Sequence, residues 1–433
     1  MKRYCLVLLL AAPLLALAAA QDAPDLPPPL VAAKAIRQSP EVAAARSQLL
    51  AEEANRDRLD SGTHETSLRL ESSRRRVASL NERYPEWSVN IERAFRLPGK
   101  ARLDGELGEQ GVAWAKVALG DALHESSRRL LTLWFAALRE QQAAALWQQQ
   151  AEVMARQAAA VAFRVKHGDA AKLEQMQADA AAATAKAAAR QAQGRAARAV
   201  AELAVRYPGV TAPANVALAS PEALGGQDWM TEILRHNHEL GMAAAESRRA
   251  QLLAQRADAD RLPDPSLGVR VGSETGGDQR IVGLSLTIPL PGSARAAVSR
   301  GQSALADMAA SQEAAVRRKV QAEAVTLLAQ AEAAVDAWQR ADEAARQTAE
   351  TARLTERARV LGEADLAAWL LAQRLAHEAA LSALLTRSEA RESIARLQLD
   401  AHQLWDLDDD EQDPHDKPAN GEVSGAVNGE TGR

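Results

Sequence analysis

The chain has 433 residues; 47 % are hydrophobic but only 3 % aromatic, with alanine the largest part of the apolar share. Large globular cores draw on aromatic area, so this composition points to thin, elongated helical packing. The formal net charge of −5 gives no basic signature and sets nucleic acid aside as a partner.

Lys2 and Arg3 precede an apolar run from Leu6 to Ala20, and Ala18-Ala19-Ala20 before Gln21 has the small residues of a cleavage site. Residues 1–20 therefore read as a secretory signal peptide; a membrane anchor needs about 18 or more apolar residues. The single cysteine, Cys5, falls inside it, so the mature chain has no disulfide, thiol nucleophile or thiolate metal site. Cys5 also lies too early to be a lipidated cysteine at the signal's end. No later apolar run reaches spanning length, so an integral membrane form has to cross as a closed β-barrel.

Residues 21–29 form an extended Pro-rich leader, and a helix over about 30–60 ends at Ser61-Gly62-Thr63. Two strands follow, about 66–76 and 86–97, the second alternating Val89, Ile91, Phe95 and Leu97 with mostly polar residues. Arg93 falls on its apolar face, and Arg74-Arg75-Arg76 is placed to cap a strand near headgroups. From about 101 to 165 no proline interrupts a helical pattern, which at roughly 1.5 Å per residue extends about 95 Å, a coiled-coil length. Gly168 suits the left-handed turn that ends such a helix, with Asp169 favouring the start of a returning helix that runs to about 206.

After a Pro/Gly-containing linker, 207–228, the series begins again and fills 229–405. Its strands are about 265–273 and 279–290, with Leu267, Val269, Val271 and then Val282, Leu284, Leu286, Ile288 alternating with small or polar residues. Such runs approach the roughly 9–11 residues of a tilted membrane-crossing strand. A second long helix covers about 295–360, with an alanine-rich seam through Val316, Val320, Ala324, Leu327, Ala331, Ala334 and Trp338, and turns at Gly362-Glu363. The tail, 406–433, reads as disordered and acidic.

Three pairs of motifs show that this is a tandem duplication. Leu97-Pro98-Gly99-Lys100-Ala101-Arg102 answers Leu290-Pro291-Gly292-Ser293-Ala294-Arg295. Ile36-Arg37-Gln38-Ser39-Pro40-Glu41-Val42 answers Leu234-Arg235-His236-Asn237-His238-Glu239-Leu240, and Lys166-His167-Gly168-Asp169 answers Val360-Leu361-Gly362-Glu363. The fold class is mainly α with a small β part, in which a helix, β-hairpin and long α-hairpin occur twice, over 30–206 and 229–405.

Signal peptide, duplicated unit and Leu-Pro-Gly junctions together resemble the TolC-type outer-membrane efflux channels, closest in look to the heavy-metal cation branch. The segments from Gly168 to Leu173 and from Gly362 to Leu366 resemble that family's periplasmic tips, and Ile288-Pro289-Leu290-Pro291-Gly292 resembles its exit from the last strand. The resemblance implies a homotrimer in the outer membrane of a Gram-negative bacterium, with a 12-stranded shared barrel and an α-helical tunnel. It implies docking of the tips (His167, Gly168, Asp169, Gly362, Glu363, Asp365) onto a periplasmic adaptor bound to an inner-membrane pump of the resistance–nodulation–division type. Pro98, Gly99, Pro291 and Gly292 become the barrel-to-helix junctions. Members carry an acidic pair constricting the tunnel entrance where Ala368 and Leu371 stand here, so the expectation is apolar closure around Trp369 and Leu370.

No catalytic constellation is present: no nucleophile elbow, phosphate loop or zinc-protease pair, and no cofactor is expected. His236-Asn237-His238 is the one histidine cluster, but on one helix those side chains point apart, and the other histidines are scattered, so no metal site is expected. Rival readings are a multidrug or type I secretion duct, a periplasmic adaptor and a structural coiled-coil protein. An adaptor calls for one hairpin between β-rich halves, and a scaffold has no use for the alternating strands at 279–290.

Overall fold

The structure, a computed structural model, describes residues 24–405 and 407. The signal peptide, the first residues of the leader and the acidic tail apart from Leu407 lie outside the described residues. The rest is mostly helical with one small antiparallel sheet.

The expected helix over 30–60 is two helices, α1 (Pro29–Arg37) and α2 (Pro40–Ser61). Ser39 caps α2 by accepting from the Val42 N–H at 3.4 Å, and Pro40 occupies the first turn, where its missing N–H costs nothing. The second unit breaks at the same place: Asn237 ends α5 (Trp229–His236) and caps α6 (His238–Ala259), accepting from Leu240 N at 2.8 Å. The motif pair around Ser39 and Asn237 is thus a helix-break signal used twice.

β1 (Ser67–Val77), β2 (Glu82–Ala94), β3 (Ser266–Glu274) and β4 (Gln279–Thr287) lie side by side in that order, every pair antiparallel. β2 begins earlier than expected and contains Pro85, which pairs with Arg74 of β1. β3 joins β2 only from Trp87 onward, so Pro85 stands on a local edge where its missing donor leaves no gap.

The two long helices, α3 (Pro98–Lys166) and α7 (Ser293–Val360), have 69 and 68 residues and extend about 100 Å each. α4 (Lys172–Arg206) returns along α3, and α8 (Leu366–Asp400) along α7. α2 lies on α3 as α6 lies on α7, and α3 joins the units by touching both α6 and α8. Buried alanines at 178, 185, 189, 192 and 196 of α4 let backbones approach closely. The largest core among the described residues surrounds Trp134, Phe135, Leu130 and Leu138 of α3, which pack with Ile36, Leu203 and Leu399.

The linker is fastened to this core rather than looped over it. Tyr207, Val210, Ala212 and Leu218 are buried there, and Gln142 donates to the Val216 carbonyl at 2.8 Å. The leader is anchored too: Asp25 is 0 % exposed and gripped by the core. No helix among the described residues is long and apolar enough to cross a membrane.

Candidate functional site

The strand registers give the sheet two unlike faces. Leu70, Val89, Val271 and Val282 form one row across all four strands; Leu68, Ile91, Val269 and Leu284 form the next on the same face. All of these but the half-buried Val89 are exposed, Leu284 at 80 %. The opposite face carries Arg69, Asn90, Arg270 and Gly283 in one row and Glu71, Ser88, Gly272 and Ile281 in the next. Alternation with period two produces this division directly, because successive side chains point to opposite faces. Trp87, exposed, stands one step beyond Val89 on the apolar face, the position of an interfacial aromatic. Arg93 sits on that face too, but one residue from the helix-side end of β2, where a long side chain reaches polar surroundings. At the hairpin end, Arg75 pairs with Glu86 at 2.9 Å and Glu274 at 3.3 Å.

Where strands become helices, Pro98 opens α3 in its first turn with Gly99 behind it, while Gly292, preceded by Pro291, is the N-cap of α7. The two junctions are held differently. Lys100, 2 % exposed, bonds Asp264 at 2.9 Å and Asp260 at 3.0 Å. Asp264 also accepts from the Leu97 N–H at 3.3 Å and faces the His64 ring at 2.9 Å. Burial opposes ionisation of Asp264, but hydrogen bonds from Lys100 and His64 outweigh it and lower its pKa. Ser293 takes the place of Lys100 in the second unit, and there Arg295 donates to the Asp260 carbonyl at 2.7 Å.

At the far ends of the long helices both turns close alike. Gly168 has φ +83° and Gly362 φ +80°, the left-handed conformation that glycine adopts without strain. Asp169 N–H reaches back to the Arg164 carbonyl and Glu363 N–H to the Ala358 carbonyl, each at 2.9 Å, the six-to-one closure of a Schellman turn. Capping of the returning helices departs from expectation. α8 is capped by Asp365, which accepts from Ala368 N at 2.7 Å, and α4 starts at Ala171 with no side-chain cap. His167, Gly168, Asp169, Gly362, Glu363 and Asp365 are all exposed, and Phe163, Leu173, Val360 and Leu361 add exposed apolar surface beside them.

Trp369 and Leu370, expected at the tunnel entrance, lie near the start of α8, beside the second tip. Trp369 is 3 % exposed and packs with Met154, Val161 and Ala178 of the neighbouring hairpin, with Leu370 half-buried alongside. The Arg359 guanidinium lies 5.3 Å from the Trp369 ring centroid and donates to Gln157 at 3.2 Å. The indole is therefore a strut between the two hairpin tips, because the apolar side of α8 faces α3 and α4 inside the chain.

The premise that the histidines are scattered is corrected by the helix break at Asn237. His236 and His238 stand on separate helices, and their rings lie 4.7 and 5.3 Å from that of His402. His124 of α3 joins them, 5.6 Å from His238 and 5.4 Å from His402 between centroids. His124 Nε2 lies 3.1 Å from Asp400, which also accepts from Arg128 at 2.8 Å and Arg396 at 3.0 Å. Burial lowers the His124 pKa despite that hydrogen bond. For Asp400, burial works against ionisation, yet His124, Arg128 and Arg396 together hold the carboxyl well below its ordinary range. Nothing local in the sequence signals this meeting of three distant segments.

Solved structures share this architecture. The outer membrane protein VceC of Vibrio cholerae superimposes with a TM-score of 0.70 at 16 % identity, over 87 % of this chain and 95 % of that one. The chain has the fold of this outer membrane protein. The CmeC outer membrane channel of Campylobacter jejuni gives 0.67 at 14 % identity, over 87 % and 85 % of the two chains. The open state of the Neisseria gonorrhoeae MtrE outer membrane channel gives 0.62 at 17 %, over 87 % and 89 %. No protein-family profile matches the sequence, and no characterised protein matches it in sequence comparison.

Proposed function

We propose that the chain is the outer-membrane member of a tripartite efflux system, a passive exit duct of the TolC type in a Gram-negative bacterium. The observation that carries this reading is the sheet, with one registered apolar face exposed, one polar face, and β1 and β4 at open edges. Exposed strand edges and an exposed apolar face call for partners, and in a bilayer every backbone polar group needs one. Three copies, giving twelve strands, close the wall; the apolar rows then meet lipid and the polar rows line the lumen. The helices continue the wall as a tunnel through the periplasm.

The exposed tips at Gly168 and Gly362 dock onto a periplasmic adaptor, which links the duct to an inner-membrane pump of the resistance–nodulation–division type. The cargo is heavy-metal cations; the charged first hairpin and the Leu97–Arg102 junction support that branch over the multidrug one. Cargo is selected by the pump, so Arg69, Glu71 and Arg270 set conductance rather than specificity. The duct itself uses no ATP and no cofactor.

Growth of a deletion strain on zinc, cobalt, cadmium, copper and a drug panel tests the cargo. Sensitivity to the metals, restored by the gene, is expected; sensitivity to drugs alone contradicts the metal reading and favours the multidrug duct.

A further inference from the structure

A cavity of about 680 Å³ lies at the seam between the two units, walled by α3, the α5–α6 break, α7 and the end of α8. Five carboxylates and three cationic side chains line it, a balance that favours cations over anions. His124 and His238 line it, His402 stands beside His124 at its margin, and one ring nitrogen of each of the three lies within 4.8 Å of the others.

We propose that His124, His238 and His402 form a binding site for a borderline divalent transition cation of the zinc class. Metal–nitrogen bonds of about 2.0–2.1 Å in a tetrahedral site hold their nitrogens roughly 3.4 Å apart. Closing the triangle from its present size takes reorientation of the rings. Three imidazoles without thiolates suit zinc, copper(II), nickel or cobalt, whereas calcium and magnesium select oxygen ligands.

The surroundings fit a metal centre. Asp400 holds His124 Nε2 at 3.1 Å and is itself fixed by two arginines, the carboxylate–imidazole arrangement that orients a metal-binding ring and leaves Nδ1 to ligate. His236 Nδ1 is engaged by the Glu232 carbonyl at 3.1 Å, and the fourth position is left to water. His402 has φ 55° and sits in the closing turn of α8, where Gln403 N–H reaches the Gln398 carbonyl at 2.7 Å. That turn by itself calls for glycine or asparagine; the imidazole is what histidine adds.

The three ligands come from α3, the start of α6 and the turn just past α8's end, so a bound ion clamps the last helix and the beginning of the second unit onto the first. Binding energy then becomes folding energy. The site does not rest on the cargo reading: stoichiometric zinc binding with a drug-only deletion phenotype would keep the site and remove the metal cargo.

The test uses full-length protein without a polyhistidine tag, extracted in detergent and stripped with chelator. Zinc chloride is titrated calorimetrically, and cobalt(II) by absorption. The expected results are one zinc per chain, visible bands of a tetrahedral nitrogen-ligated cobalt, and zinc affinity at least tenfold weaker in His124→Ala, His238→Ala and His402→Asn. Asparagine keeps the left-handed turn, so the third variant reports the imidazole and not the fold. His377→Gln, outside the cluster, is expected to bind as the parent does. Absence of stoichiometric zinc binding by the parent, or unchanged affinity in His402→Asn, overturns the proposal.

Discussion

Arg391 grips Asp25 through two parallel hydrogen bonds, Nε to Oδ2 at 2.7 Å and Nη2 to Oδ1 at 2.9 Å, deep inside the protein. The pair joins the first described residues to the last helix, and Asp25 also accepts from the Ala219 N–H of the linker at 2.9 Å. The Asp25 carbonyl takes the Trp134 indole N–H at 2.8 Å. One buried carboxylate thus ties leader, linker, α3 and α8 together.

Removing one partner leaves an uncompensated buried charge, which costs about 3–5 kcal/mol. Asp25→Ala and Arg391→Ala are each expected to lower unfolding stability by that order, and the double variant Asp25→Leu/Arg391→Met by much less than their sum. Urea unfolding followed by circular dichroism checks both.

The two faces of the sheet are expected to respond oppositely to charge. Leu284→Arg places a cation on the apolar face and is expected to cost about 2–4 kcal/mol near a bilayer midplane, with loss of assembled protein from the outer-membrane fraction. Arg270→Ala, on the polar face, is expected to assemble normally and change single-channel conductance in a planar bilayer.

Trp369 is a strut, so its truncation acts on the tips. Trp369→Ala is expected to destabilise the protein by about 3–5 kcal/mol through lost burial and a residual cavity. Amide exchange at Val153–Ala158 and Leu366–Leu370 is expected to accelerate; unchanged exchange there would show that the tips do not depend on the indole.

Asp400 makes stability sensitive to acid. Its folded pKa is depressed, so its contribution is complete above the ordinary carboxylate value of about 3.9 and is lost as pH falls through the folded one. Stability is expected to decline on acidification below about pH 4, and Asp400→Asn to be less stable at pH 7 but to lose less on acidification. Urea midpoints at pH 7, 4 and 3 supply the comparison.

Much of the fold was legible because it is written in local periods. Alternation at Val282, Leu284 and Leu286 set the strand and its faces, and glycines 168 and 362 marked both turns. The motif at Ser39-Pro40 was visible as half of a repeat, but the pattern around it reads as continuous helix, and the break it encodes emerges only from the Ser39 cap. The burial of Asp25, the Lys100–Asp264 pair and the histidine cluster depend on segments brought together by packing, to which no local pattern responds. Trp369 shows the same limit. Its apolar character was readable, but its direction was fixed only by α3 and α4 packing on that side of α8.

The central claim is that three chains close one barrel at the sheet end of a long helical tunnel. Native mass spectrometry and negative-stain imaging of protein extracted from the outer-membrane fraction test it most directly. The account predicts a trimer, elongated, with a compact barrel at one end. A monomer or dimer recovered from the soluble periplasm would contradict it and make the sheet an ordinary hairpin pair on a coiled-coil stalk.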